Sequence, residues 1–178
     1  MRKPVLAGVI LGAVLAMISP ASAHAACAGA YVLPNGANLE RIRAAVVCLG
    51  NQERTARGLR PLQENTRLRR AAAGHTSDMV RRSYFAHDGS AGDSFVDRIL
   101  AAGYVGRRDG YALAENLAWG TGALSTPAAV VDAWMHSPPH RANLLGRAYR
   151  DAGIGVKLGV PNDDGVGATF TLDLGAKD

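Results

Sequence analysis

The chain has 178 residues, of which 48% are hydrophobic and 20% are charged, with 21 glycines and 8 prolines. This composition excludes collagen-like, coiled-coil and disordered classes, and the length predicts one folded domain. The formal net charge is +5, but no aromatic residues are interleaved with the arginines, so we do not expect nucleic acid binding.

Residues 1–25 have the pattern of a secretory signal peptide. Arg2 and Lys3 precede an uncharged run, and the small residues after it allow cleavage after Ala23 or Ala25. The run is too short for a membrane span of about 20 residues, so we do not expect this chain to be an integral membrane protein. Cleavage lowers the count of basic residues from 20 to 18 against 15 acidic ones, so the net charge falls from +5 to +3. We therefore expect a secreted protein.

After the signal, we expect an N-terminal segment over 26–38 and a single domain over 39–178. Both cysteines, Cys27 and Cys48, remain after cleavage. An even number of cysteines in an exported protein predicts one disulfide, which would join the N-terminal segment to the first helix. A lipidated Cys27 is the alternative, and it is disfavoured because His24 stands where a lipoprotein signal carries an aliphatic residue.

The spacing of apolar residues predicts four helices in the first three quarters of the domain. The third begins at a cap residue, either Asp93 or Ser94, and the fourth has Thr126 as its cap and Pro127 at its first position. The Ser-Pro-Pro sequence that begins at Ser137 ends the fourth helix. The four predicted helices cover approximately 39–58, 68–83, 95–103 and 127–136.

Three strands complete the predicted fold. The apolar segment 111–119 predicts a short buried strand, and 153–160 and 167–174 predict an antiparallel hairpin around the turn-rich segment 161–165. Helices first and a hairpin last indicate an α+β fold with an antiparallel sheet covered by helices.

Two histidines lie in or near the second predicted helix. His75 shares an apolar stripe with Leu68 and Met79, which is typical of a hydrogen-bonded core residue. His87 lies just past the end of this helix, in a loop that a rigid scaffold would position, and such loops often carry functional residues.

The other two histidines, His136 and His140, are four residues apart, which is the spacing of a helical metal pair. Pro138 and Pro139 stand between them and interrupt a continuous helix. We therefore expect the two side chains to point in different directions, with His140 the better candidate for a cleft.

Glu115 lies within an otherwise apolar strand. A carboxylate in such a setting must be paired, hydrogen-bonded or protonated, because burying an isolated charge is too costly. Two interpretations remain open: a structural carboxylate that accepts loop N–H groups, or a functional group that faces histidines.

Four motifs in this order resemble the landmarks of the CAP superfamily, which includes cysteine-rich secretory proteins, antigen 5 and pathogenesis-related 1-like proteins. The chain is most similar to the short bacterial secreted members, also called SCP domains, and the match runs from about Leu39 to Gly175. The motifs are Asn-Gln-Glu-Arg at 51–54 with Gly-Leu-Arg-Pro-Leu at 58–62, Tyr-Phe-Ala-His at 84–87, Ala-Glu-Asn-Leu-Ala at 114–118 and Trp-Met-His-Ser-Pro-Pro-His-Arg at 134–141.

The resemblance implies a three-layer α-β-α sandwich with a central antiparallel sheet and a cleft lined by two histidines and two acids. His87 and His140 match the family histidines, and Glu115 matches the first acid. The second acid belongs two residues after the tryptophan of the fourth helix, where this chain has His136, followed by Ser137. These two residues are expected to line the cleft with Glu115.

Two functions follow from these residues. The first is a monomeric, non-catalytic domain that binds a lipid, a peptide or a wall component, with a divalent metal such as Zn²⁺ held weakly by His87 and His140. The second is a hydrolase, in which the two histidines and Glu115 hold a metal that activates water, or Ser137 is a nucleophile with a histidine base. The chain has no Gly-x-Ser-x-Gly or His-Glu-x-x-His motif, which favours the first function without deciding between them.

Overall fold

The structure, a computed structural model, describes residues 27–106, 109–161 and 163–178, so the predicted signal peptide lies outside the described residues. None of the helices in these ranges is long and apolar enough to cross a membrane. The helices are α1 (Leu39–Thr55), α2 (Thr66–Arg82), α3 (Phe95–Ala101), α4 (Pro127–His136) and α5 (Pro138–Leu144). The strands are β1 (Gln63–Glu64), β2 (Tyr111–Thr121), β3 (Asp151–Val160) and β4 (Asp163–Lys177).

The four predicted helices are confirmed, and cap residues set three of their starts. The side chain of Asn65 accepts hydrogen bonds from two N–H groups of the first turn of α2. Ser94, rather than Asp93, caps α3, and it forms a capping box with Asp97. Thr126 caps α4 as predicted. These starts are local features, because each cap satisfies N–H groups that the helix itself leaves unpaired.

The sequence pattern did not predict α5. Ser137 is extended (φ −100°, ψ 115°) and separates this helix from α4. Pro138 and Pro139 occupy the first two positions of α5, where a helix has no internal hydrogen bond to lose. The proline pair therefore ends one helix and begins another, and His136 and His140 lie on different helices.

The sheet has the strand order β1-β3-β4-β2. The pairs β3–β4 and β2–β4 are antiparallel, which confirms the predicted hairpin and sheet. A short parallel pair between β1 and the first two residues of β3 was not predicted. The two-residue β1 is too short to give a periodic signal.

Helices cover both faces of the sheet, which confirms the three-layer sandwich. On one face, α1 and α4 pack their apolar residues against Phe170 and Leu172 of β4. On the other face, Thr76 of α2 donates a hydrogen bond to the hydroxyl of Thr171 (2.8 Å). A Cβ at Gly153 or Gly155 would clash with the backbone of α2. The glycines therefore let α2 lie directly on the sheet.

Two long-range ties hold the first helix in place. The predicted disulfide between Cys27 and Cys48 is confirmed, with a Cα–Cα distance of 5.7 Å. Within the described residues, the guanidinium of Arg54, which is 1% exposed, donates to main-chain carbonyl groups. These acceptors belong to Arg60, Leu144, Gly146 and Tyr149, at 2.8–3.3 Å.

Candidate functional site

The site is built around Glu115, in the middle of β2. Its side chain is 1% exposed, and both carboxylate oxygens accept a hydrogen bond. His87 donates through Nδ1 to Oε1 (2.8 Å), and Arg98 donates through Nη2 to Oε2 (2.8 Å). The carboxylate is therefore paired with a cation and faces a histidine, and both of these donors are side chains rather than loop N–H groups.

Arg98, on α3, holds the loop that carries His87. Besides Glu115, its guanidinium donates to the carbonyl oxygens of His87 (2.8 Å) and Asp93 (2.9 Å). Its side chain is 11% exposed, so these contacts are largely shielded from water. The sequence contains no signal that separates this arginine from those on helix surfaces, and its role was not predicted. We refer to His87, Arg98, Glu115 and His140 as the histidine–carboxylate cluster.

His87 is half exposed, unlike its carboxylate partner. The hydrogen bond to Glu115 raises the pKa of His87 above its ordinary value, and partial burial opposes this effect. Because Nδ1 is bound to the carboxylate, Nε2 is the ring nitrogen left for a ligand. The cluster therefore presents an imidazole in a defined orientation at the surface.

His140 lies in the first turn of α5, close enough to His87 for the two imidazoles to interact electrostatically. Burial lowers the pKa of His140, and the positive charge of His87 lowers it further. Its carbonyl oxygen accepts a hydrogen bond from Asn116 (2.9 Å). Asn143, one turn later, donates to the oxygens of Asn116 (2.9 Å) and Glu115 (3.3 Å). The two asparagines thus fix α5 against β2 and place the second histidine at the cluster.

A second carboxyl group, Asp173, faces Glu115 from β4, where the two residues are direct partners in the strand register. Asp173 is 1% exposed. Burial and, next, the negative charge of Glu115 raise the pKa of Asp173 well above its usual range. This favours the neutral acid, which can donate a hydrogen bond to the Glu115 carboxylate.

The resemblance placed the second acid of the cleft on the fourth helix, whereas this chain supplies a second carboxyl group from the sheet. The alternation of β4 places Thr169, Thr171 and Asp173 on one face, and only the structure shows that all three are buried.

His75 is a buried core histidine, as predicted. It is 1% exposed, and its Nε2 lies 2.9 Å from the carbonyl oxygen of Ala86. Burial lowers the pKa of His75, so the neutral ring donates from Nε2. Since Ala86 immediately precedes His87, this hydrogen bond helps to fix the backbone that presents the site histidine.

His136 and Ser137 lie at the junction of α4 and α5. His136 is exposed and contacts the carbonyl oxygen of Asp132 through Nδ1 (2.9 Å). It lines a groove of about 430 Å³ together with Pro138 and Arg141. In the described part of the chain, neither the His136 ring nor the Ser137 hydroxyl forms a hydrogen bond to the histidine–carboxylate cluster.

Metal ligands are few in the site. Within residues 27–106, 109–161 and 163–178, no group of three or more His, Cys, Asp and Glu side chains has an arrangement that could hold a metal ion. The side chains available to a metal are the two imidazoles of His87 and His140, because both oxygens of Glu115 are already hydrogen-bonded.

A larger groove than that beside His136 lies between the N-terminal segment, α1 and α4. It has a volume of about 610 Å³ and is lined by Tyr31, Leu49 and Met135, among others. This apolar groove contains none of the residues of the histidine–carboxylate cluster, so the groove and the cluster are separate sites.

Comparison with known proteins finds relatives from bacteria. The chain is 36% identical over 110 residues to the uncharacterized protein YkwD of Bacillus subtilis, covering 62% of this chain and 40% of the relative. It is 34% identical over 111 residues to the uncharacterized membrane protein YlbC of the same organism, covering 62% of this chain and 30% of the relative. The match therefore spans less than half the length of both relatives.

Solved structures share the fold. An extracellular protein containing a SCP domain from Bacillus anthracis has a TM-score of 0.61 at 24% identity, covering 79% of this chain and 43% of that one. An outer surface protein from Borrelia burgdorferi has a TM-score of 0.61 at 18% identity, covering 82% and 97%. A cysteine-rich secretory protein from Staphylococcus aureus has a TM-score of 0.54 at 21% identity, covering 76% and 38%.

A family model supplies the assignment. The model of CAP, the cysteine-rich secretory protein family, matches residues 47–172, which is more than half of the chain and includes every member of the histidine–carboxylate cluster. The chain therefore belongs to the cysteine-rich secretory protein family, CAP.

Proposed function

We propose that this chain is a secreted, non-catalytic CAP domain that binds a lipid, a peptide or a wall component, and whose His87 and His140 hold a divalent metal such as Zn²⁺ weakly. The observation that carries the proposal is the double occupation of Glu115 by His87 and Arg98. A carboxylate with both oxygens bound orients an imidazole, and it is poorly placed to act as a base or as a third metal ligand.

Metal binding fits the chemistry of the two imidazoles. Metal-bound histidines commonly donate their second ring nitrogen to a carboxylate, which fixes the tautomer and strengthens the ligand. His87 has this arrangement through Glu115. Two imidazoles supply half of a tetrahedral zinc shell, and water would complete it, so the affinity is low.

The metal proposal is tested by calorimetric titration of the protein with Zn²⁺. Binding is expected in the wild type and lost in the double variant H87A/H140A. The variant H136A is the matched control, because His136 is exposed and lies outside the cluster. Affinity should fall as the pH drops, and the fall should begin above about 6.5, because binding requires neutral imidazole and the pKa of His87 is raised above that ordinary value. Equal binding by the wild type and the double variant would refute the metal site.

A hydrolase is the alternative function, and the geometry supports it less. A serine nucleophile is activated by a base within hydrogen-bond reach, yet the Ser137 hydroxyl has no histidine partner among the described residues. The test is hydrolysis of casein, ester and peptidoglycan substrates by the purified protein, with H140A as control. Turnover that H140A abolishes would overturn the non-catalytic proposal.

Secretion is supported by the solved neighbours, two of which are described as extracellular or outer surface proteins. It is tested by sequencing the N-terminus of the exported protein. We expect the mature chain to begin after Ala23 or Ala25, and retention of residues 1–25 in the exported protein would refute the predicted signal.

A further inference from the structure

A basic groove lies near the edge of the sheet that is farther from the histidine–carboxylate cluster. It has a volume of about 350 Å³ and lies between α1 and α2, where Ile154 of β3 forms part of its wall. The cluster is centred on β2, at the opposite edge of the four-stranded sheet. Because β1 pairs with only the first two residues of β3, the groove lies beside an outer strand that is largely uncovered.

The groove contains three guanidinium groups and one carboxylate, from Arg43, Arg69, Arg70 and Glu40. The carboxylate of Glu40 contacts two nitrogens of the Arg43 guanidinium. Nε of Arg43 donates a hydrogen bond to Oε2 (3.2 Å), and Nη2 forms an ion pair with Oε1. The Glu40 carboxylate also lies 3.6 Å from Nη1 of Arg69. Arg70 forms no hydrogen bond or ion pair with the described residues. The positive charge of the groove is therefore only partly neutralised.

Exposure differs sharply between the partners of the main ion pair. The side chain of Arg43 is 16% exposed, whereas that of Glu40 is 78% exposed. The guanidinium is therefore anchored in the groove, while the carboxylate reaches in from solvent. Because the carboxylate is exposed to water, its exchange for an external anion leaves no buried charge unpaired and costs little.

We propose that this groove is a binding site for a phosphate ester. The carboxylate of Glu40 shows where an anion is attracted by two arginines. A phosphate has more acceptor oxygens than a carboxylate, so it can contact Arg43, Arg69 and Arg70 together, with the hydroxyl of Thr66 at the groove wall. Arginine recognises phosphate by paired N–H donors in a fixed geometry. The volume is at the low end for ligand pockets, which suits one phosphate with a small attached group.

The simpler role for these arginines is protection of the outer strand, since charged side chains discourage pairing with another chain. That role needs no anion and predicts no saturable binding. Phosphate binding and edge protection therefore differ in a measurable way.

The test follows backbone amide shifts by NMR during titration with inorganic phosphate and with glycerol 3-phosphate at low ionic strength. We expect saturable shifts around the groove and a loss of affinity of at least tenfold in R69Q/R70Q. The matched control is R81Q/R82Q, which removes the same charge from the other end of α2 and should bind as the wild type does. E40Q should bind more tightly than the wild type, because it removes the competing carboxylate.

Three results would overturn the proposal: no saturable binding by the wild type, equal weakening in the two double variants, or unchanged affinity in E40Q. A further arm uses vesicles of phosphatidylglycerol in phosphatidylcholine. Binding to vesicles without any response to glycerol 3-phosphate would also overturn it, in favour of a membrane-facing patch. Zinc titration of R69Q/R70Q should match the wild type, which separates this site from the proposed metal site.

Discussion

The buried carboxyl group of Asp173 makes a sharp prediction about pH and stability. Asp173 is 1% exposed and faces Glu115 across the β2–β4 pair. Its pKa is raised well above the usual range, first by burial and then by the charge of Glu115. In the unfolded chain the same group has an ordinary pKa of about 3.9. Between these two values, the folded state holds a proton that the unfolded state has released.

The sign of the effect follows from this difference in bound protons. The contribution of Asp173 to stability is fully present below about pH 3.9 and is lost as the pH rises toward the folded pKa. Within that window, one group changes the free energy of unfolding by about 1.4 kcal/mol per pH unit. The variant D173N retains the shape of the neutral acid and can donate from Nδ2 to Glu115, but it does not titrate.

The assay is urea unfolding of the wild type and D173N at intervals from pH 4 to pH 8. We expect the stability of D173N relative to the wild type to grow by about 1.4 kcal/mol per pH unit, until the folded pKa of Asp173 is reached. D132N removes an exposed carboxylate on α4 and controls for the loss of one charge. Parallel stability profiles for the wild type and D173N would refute the reasoning. Should D173N not fold, the infrared band of a protonated carboxyl in the wild type at neutral pH provides the independent measurement.

Three further changes should alter stability. E115A should destabilise the protein by about 3 kcal/mol or more, because it leaves the buried guanidinium of Arg98 without its partner. Its melting temperature should fall below that of H140A, and equal melting temperatures would contradict this. Replacing Cys27 and Cys48 by serine should cost about 3 kcal/mol for a crosslink spanning 21 residues, and two free thiols in the intact mass of the non-reduced protein would contradict the disulfide itself. R54M should lower the free energy of unfolding by several kcal/mol, because four buried or partly buried hydrogen bonds to main-chain carbonyl groups are lost, at about 1–3 kcal/mol for a fully buried group. A denaturation midpoint like that of the wild type would show that these hydrogen bonds contribute little.

Much of the fold could be predicted from local features of the sequence. Cap residues such as Ser94 and Thr126 act within one turn of their helices, so their effect is readable without tertiary information. The hairpin of β3 and β4 needs only two strand-like runs and a turn-rich linker between them. The order of helices and strands then restricted the fold to a sheet covered by helices, and the motifs narrowed it to the CAP family.

Two elements, α5 and β1, could not be predicted from such local features. The proline pair at 138–139 is a helix end and a helix start at once, and the sequence shows only the first because prolines stop the preceding helix. The two-residue β1 forms because the chain after α1 passes beside β3, where the N–H of Gln63 reaches the carbonyl oxygen of Arg150 (2.8 Å). No periodicity can appear in two residues.

The residues of the site also divide into those that the sequence predicted and those that only the structure revealed. Local sequence context and motif position together selected His87, Glu115 and His140: one follows a helix, one lies in an apolar strand, one follows a proline pair, and each lies in a family motif. Arg98 and Asp173 were not selected, although both contact Glu115. Their surroundings come from separate parts of the chain: α3 lies before β2, while β4 lies near the C-terminus. An arginine on a short helix and an aspartate in an alternating strand have ordinary sequence patterns. Only the packing of α2 and α3 on the sheet buries them beside the carboxylate, and burial is what makes their charges consequential.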